Sequence, residues 1–291
     1  MERYSIADVE SLTGIKAHTL RKWEDRYKML IPHRTGTNIR YYDDEQLRTL
    51  LNVATLLQNG YRISKVMAME SPVLNKTVAE LMTNEEVSDH NIAYINALIK
   101  AMLAFDEPVM DKTLTTIFIR HGIFDAMTGI IYPFLRRTGM LWTTENASPS
   151  QEHFASMILR RKLLSITDGI PLSASSDKKF LLFLPPDEWH EMGLLLSDYV
   201  IRKAGNSTLY LGPNVPFNSI ETALKLYKPT HLLTFFRTGS ESAAYVASIK
   251  NMLKTHHNTI ALICSDNIAE NEKMPKNIRI LTEPEALGKY L

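Results

Sequence analysis

Apolar residues recur at helical spacing near the amino terminus. Ile6, Val9 and Leu12 share one face behind Ser5, a residue type that caps helices, so a helix is predicted over 5–12. Thr13-Gly14 breaks the pattern. Leu20, Trp23 and Tyr27 then share one face of a second helix over 16–28. Two short helices joined at a glycine predict a helix-turn-helix. Pro32 ends the second helix. Residues 33–38 read as a turn between two extended stretches, the second ending in Ile39-Arg40-Tyr41-Tyr42. Asp43 caps a helix to about residue 58 that Gly60 closes, a further turn is expected over 63–69, and Ser71-Pro72 marks a boundary.

From about 75 to 170 strand signals are nearly absent. Four stretches, 89–105, 108–121, 124–141 and 149–168, carry apolar residues at helical spacing, which predicts a four-helix bundle. Beyond it the period alternates. Short apolar runs at 180–184, 208–211, 231–236, 260–263 and 278–281 read as strands, with helices over 188–204, 219–227 and 240–254 between them. This βαβ rhythm predicts a doubly wound parallel sheet, in which ligands bind beyond the carboxyl ends of the strands. The expected architecture is therefore multidomain α plus α/β. A winged helix-turn-helix occupies 1–72, a four-helix bundle 75–172 and a flavodoxin-like sheet 177–291.

Composition excludes several classes. At 45% hydrophobic and 22% charged, the chain is neither disordered nor a rod. No apolar run reaches the length of a membrane span, and Met1-Glu2-Arg3 opens without an apolar leader. One cysteine, Cys264, excludes a disulfide framework and fits a reducing cytoplasm, the expected location. Net charge is only +1, yet the 25 residues from Lys16 to Arg40 carry +5. That asymmetry points to a local nucleic-acid contact. A recognition helix needs short polar and cationic side chains near its start, and Lys16, His18, Thr19, Arg21, Lys22 and Arg26 supply them. Arg34, Asn38, Arg40 and Tyr41 fall on the following hairpin, placed to grip phosphates. A solvated basic face on a plain helical domain is the competing reading.

Leu20-Arg21-Lys22-Trp23-Glu24-Asp25-Arg26-Tyr27, then Pro32-His33-Arg34-Thr35 and Ile39-Arg40-Tyr41-Tyr42, resembles the MerR family winged helix, which reads L-R-x-W-E-x-R-Y, P-x-R-T and x-R-x-Y. The resemblance spans residues 4 to about 69 and implies a dimer on a double-stranded DNA operator. Trp23 is expected in the core rather than on a base.

Further along, Glu188-Trp189-His190-Glu191-Met192-Gly193 has the form E-x-H-x-x-G on a loop after a buried strand. An imidazole there can ligate a metal, a neighbouring carboxylate can fix its tautomer, and a glycine lets a bulky planar ligand approach. In the bundle, Trp142 is followed after nine residues by Glu152-His153. Each motif alone reads more simply as a solvated loop or a core tryptophan beside a helix start. Together they resemble the cobalamin-binding module of CarH/LitR-type MerR regulators. The resemblance implies a corrin lying between bundle and α/β domain, with His190 as its lower cobalt ligand. Trp142, Glu152 and His153 would lie over the upper face, and Glu188, Gly193 and Thr234 would complete the site. The implied ligand is adenosylcobalamin or methylcobalamin.

The chain departs from that pattern. Thr234-Phe235-Phe236 stands where Ser-x-Leu or Ser-x-Thr is usual, and Cys264-Ser265 where Gly-Gly lets the nucleotide tail pass. Thr143 follows Trp142, where light-sensing relatives often carry a second histidine. The expected function is a transcriptional regulator, a repressor by resemblance, acting as a dimer that can pair into a tetramer, controlled by a cobalamin-type ligand with light as a further signal. The alternative is a cofactor-independent regulator with a degenerate module. An enzyme is the remaining class, but His121, Asp125, Asp187 and His231 show no catalytic spacing.

Overall fold

The computed structural model describes residues 4–27, 31–36, 38–82, 89–144, 146–171, 176–236, 242–265 and 274–291. The chain divides into two compact units, Met1–Ile158 and Leu159–Leu291.

The first unit opens with strand β1 (Tyr4–Ser5) and helix α1 (Ile6–Thr13). Ser5 and Asp8 form the reciprocal capping box that Ser5 alone suggested, and Gly14 ends the helix at φ 72°. Helix α2 (Ala17–Tyr27) follows, then strands β2 (His33–Arg34) and β3 (Arg40–Tyr42). β3 pairs antiparallel with β2 on one side and β1 on the other. The strand at Tyr4–Ser5 is too short to carry a periodic signal, and only its pairing with Tyr41 and Tyr42 reveals it.

Helices α3 (Asp44–Gln58), α4 (Ile63–Val66) and α5 (Ser71–Met82) complete this region. Ser71-Pro72, the expected boundary, opens α5. Proline is tolerated in a first helical turn because the missing N–H has no partner there. Leu74 and Val78 of α5 join Val9, Leu20, Tyr42, Leu50 and Val53 in one core. Asn52 lies fully buried in α3. Its amide nitrogen donates to Asn75 Oδ1 at 2.8 Å and to the carbonyl of Thr143 at 3.0 Å.

The expected bundle helices appear as α6 (Asp89–Leu103), α7 (Glu107–His121), α8 (Ile123–Ala126), α9 (Tyr132–Thr143) and α10 (Pro149–Asp168). The third expected helix is divided. A π-helical turn at Met127–Ile131 separates α8 from α9. Pro133 has no N–H to give Gly129, and the amide of Asn91 donates to that carbonyl at 3.2 Å instead. Leu98, Met102, Leu114, Ile117, Ile130 and Phe134 are buried here. The division between the units falls within α10.

The second unit is the doubly wound sheet the alternation predicted. Its strands are β4 (Lys179–Phe183), β5 (Ser207–Gly212), β6 (His231–Phe235), β7 (Ile260–Cys264) and β8 (Ile278–Leu281). They are parallel, in the order β5-β4-β6-β7-β8. Helices α11 (Met192–Lys203), α12 (Phe217–Tyr227) and α13 (Ser242–Leu253) connect them. Leu181, Phe183, Leu232 and Ile263 pack with Ile220 and Leu224 of α12 and Val246 and Ile249 of α13. Phe180, Leu182, Leu233 and Leu262 on the other face pack with Leu194 and Ile201 of α11. Burial on both faces explains why the strands read as continuous apolar runs. The order reverses at β4, which places a ligand crevice at the carboxyl ends of β4 and β6.

The helix expected from residue 188 starts at Met192. The carboxylate of Glu188 takes the backbone N–H groups of Trp189 and His190, so those residues leave the helix. His231, named as an alternative catalytic residue, is a core group. Its ring stacks on Phe180 at 4.6 Å, and Nδ1 lies 2.9 Å from Thr230 Oγ1.

Two outcomes follow from this packing. Asn52→Ala should lower stability by about 1–3 kcal/mol in urea unfolding, because it strands the Thr143 carbonyl. Burial, assisted by Lys178, holds the His231 pKa below its ordinary value. The unfolded chain therefore binds the extra proton, and stability is full above about pH 6.5 and falls as pH drops below it. Unfolding of His231→Gln should show a shallower loss over that interval, and equal slopes would remove His231 as the cause.

Candidate functional site

The basic stretch folds into two presenting elements. Along α2, Leu20 is buried and Trp23 and Tyr27 pack against the core, as expected of that face. His18, Arg21, Lys22 and Arg26 are exposed on the other side, and Thr19 is half-buried between them. Lys16, just before the helix, pairs with Glu10 at 3.2 Å. The second oxygen of Glu10 accepts the Ala17 N–H at 2.9 Å, which holds the Glu10 carboxyl below its usual range. Glu10 thus caps the start of α2 from the preceding helix, a role no local capping pattern signals.

The hairpin is held by a second inward acid. Glu24 accepts the Tyr42 hydroxyl at 2.5 Å and Arg40 Nε at 3.1 Å. Burial and the Glu24 carboxylate raise the Tyr42 phenol well above its ordinary value, so it stays a donor. Arg40, expected on phosphate, is therefore anchored to α2 and half-buried. Arg34 Nη1 donates to Asn38 Oδ1 at 2.8 Å across the turn, where Asn38 sits at φ 65°. Tyr41 stacks on His33 at 5.3 Å. Glu24 counted against the basic charge in the sequence, but its pairing with Arg40 turns it away from the surface.

The loop after β4 is built around Glu188, which is 8% exposed. One of its oxygens, Oε1, accepts from Trp189 N at 3.0 Å, His190 N at 2.9 Å and His190 Nδ1 at 2.6 Å. The imidazole is 61% exposed. In the neutral tautomer that donates Nδ1–H to the carboxylate, the lone pair sits on Nε2. Asn214 closes the loop from the far side, donating through its N–H to the Glu188 carbonyl at 3.1 Å and accepting the Asp187 N–H at 3.0 Å. Glu191, buried beside them, pairs with Arg160 of α10 and accepts the Tyr210 hydroxyl at 3.2 Å. Neither Arg160 nor Tyr210 was suggested by a sequence motif.

Among the described residues no three His, Cys, Asp or Glu side chains gather to hold a bare ion. A lone imidazole suits a metal that brings its own ligands, such as the cobalt of a corrinoid. Thr234 Oγ1 and Ser265 Oγ, at the carboxyl ends of β6 and β7, are buried without a hydrogen-bond partner. They offer polar contacts to a ligand in the crevice. Gly193, expected to admit a planar ligand, is instead met by the ring of Phe235. The axial ligand and the hydroxyls fit a corrinoid, whereas the space beside Gly193 is filled by the protein itself.

The bundle residues lie apart in character. Trp142 packs on the core that holds Tyr42 and Leu50, with its indole N–H buried and without a partner. Glu152 and the exposed His153 pair with each other at 3.1 Å.

Residues 4–71 match the family described as MerR HTH family regulatory protein, and residues 94–165 match the B12 binding domain. The HTH-type transcriptional repressor CarH of Myxococcus xanthus is 26% identical over 78% of this chain and 76% of its own length. The repressor CarA of the same organism is 25% identical over 86% of this chain and 82% of its own. The monomethylamine corrinoid protein of Methanosarcina barkeri shares the fold, with a TM-score of 0.52, 10% identity, and coverage of 68% of this chain and 94% of that one. The chain is thus homologous to the transcriptional repressors CarH and CarA, and joins a MerR helix-turn-helix to a B12 binding domain.

Proposed function

We propose that this protein is a transcriptional regulator, a repressor like CarH and CarA, whose grip on DNA responds to a corrinoid ligated by His190. The reading is carried by the orientation of His190. A buried carboxylate fixes Nδ1 and turns the lone pair of Nε2 outward, in a chain whose first helices expose His18, Arg21, Lys22 and Arg26. A corrinoid held by His190 would supply a ligand-exchanging cobalt centre.

The chain's own residues divide the work. α2 enters a groove, and the hairpin carrying Arg34 meets the backbone beside it. Glu10 and Glu24 hold both elements in register. Glu188 orients His190 through Nδ1, and Thr234 gives the ligand a hydroxyl. The protein acts as a dimer, and two readers on one operator gain avidity over one. Ligand controls DNA binding only if it binds one assembly better than another. The crowded Gly193 favours a second reading, a regulator that has dispensed with the cofactor.

Two measurements decide. Binding to a duplex that the protein itself selects from random sequence should weaken steeply with salt, log K falling by about 0.9 per phosphate contacted per log unit of salt. Arg21→Ala should make that slope shallower by about 1 per subunit, and an unchanged slope places Arg21 off the backbone. Protein mixed with aquacobalamin or aquacobinamide and passed through gel filtration should emerge coloured, with an absorbance shift that His190→Ala abolishes while DNA binding survives. Colourless protein that still binds DNA selects the cofactor-independent reading.

A further inference from the structure

Gly193 lies in the first turn of α11 with an ordinary helical backbone, so no left-handed conformation demands glycine there. Glycine within a helix costs about 1 kcal/mol relative to alanine. Space is the remaining reason for it, and the structure shows what uses the space. A Cβ at this position would stand 2.8 Å from Cε1 and 3.0 Å from Cδ1 of Phe235. The Phe235 ring is held there by the cluster of Phe180, Leu182, Leu194 and Leu233.

This matters for what His190 can ligate. A complete cobamide carries a nucleotide tail whose base occupies the lower position on cobalt. An imidazole can take that position only after the base lets go. The released base is a bicyclic aromatic on a tether, and it stays on the side from which the histidine approaches. It must then lie against the loop and the carboxyl edge of the sheet. Gly193, three positions after His190, lacks a side chain, and the Phe235 ring occupies the space a Cβ would take there. The neighbouring strand gives no relief, because Phe235 pairs with Cys264 and the buried Ser265 follows.

We propose, resting on the corrinoid reading above, that Phe235 determines ligand specificity by excluding a bulky lower base, so that the loop selects corrinoids lacking the nucleotide tail over complete cobamides. Selectivity of this kind comes from a built-in clash rather than from an added attraction.

The test uses the full chain and three probes: aquacobinamide, aquacobalamin and an adeninyl cobamide. Each is titrated while the visible absorbance shift is read. The adenine base is bulky yet a weak cobalt ligand, so it separates steric exclusion from the cost of displacing a strong ligand. The wild type should bind cobinamide at least about tenfold more tightly than either cobamide. Phe235→Ala and the milder Phe235→Val should each tighten both cobamides by about tenfold and change cobinamide little. Circular dichroism and thermal unfolding check that the variants are folded, and the wild-type comparison stands without them. Equal or tighter binding of complete cobamides by the wild type overturns the proposal, as does an adeninyl cobamide that binds like cobinamide. If no corrinoid shifts the spectrum of any form, the corrinoid reading itself fails and takes this one with it.

Discussion

Burying a carboxyl group is costly unless hydrogen bonds replace the lost solvent, and the loop after β4 is organised by that requirement. Glu188 meets it with the two backbone N–H groups that follow it and the imidazole of His190. Three consequences come from one group. The helix is delayed to Met192, the ring is fixed with Nε2 outward, and the loop is tied to Asn214 through the Glu188 carbonyl. Glu191 adds a second buried carboxylate, satisfied by Arg160 and Tyr210, so the segment is held on both sides of the histidine.

The amino-terminal reader uses acids in the same way. Glu10 spans from α1 to the start of α2, and Glu24 spans from α2 to β3. Each removes a negative charge from the presenting surface while it fixes the angle of an element that carries cations. The Glu24–Arg40 pair removes one charge of each sign, so the net charge of the stretch stays at +5. On the exposed face of α2, Arg21, Lys22 and Arg26 outnumber the one exposed acid, Asp25, while Glu24 points inward.

Phe235 and Gly193 illustrate a different constraint. Glycine in a motif is easily taken as room left for a ligand, but close-packed interiors rarely leave such room unused. Here an aromatic ring from β6 uses it. The same crevice keeps two buried hydroxyls, Thr234 and Ser265, without partners. Apolar space beside Gly193 has been closed, and unpartnered hydroxyls have been kept at the ends of β6 and β7.

The linear pattern was enough for the elements. Ser5, Gly14 and Pro32 marked helix ends, the apolar runs marked all five parallel strands, and the basic stretch marked the reader, because caps, breakers and periodicity act over a few residues. The E-x-H-x-x-G spacing likewise foretold the Glu188–His190 contact, which spans two positions. Tertiary structure alone decided the rest. The strand at Tyr4 exists only through β3, the π-turn at Met127–Ile131 depends on Asn91 replacing the N–H that Pro133 lacks, and Arg40 turns to a glutamate sixteen positions away. Gly193 meets a ring from another strand, and Trp142 turns to the core around Tyr42. Each joins residues far apart in the chain, and contacts of that kind are set by how faces pack, which no local spacing encodes.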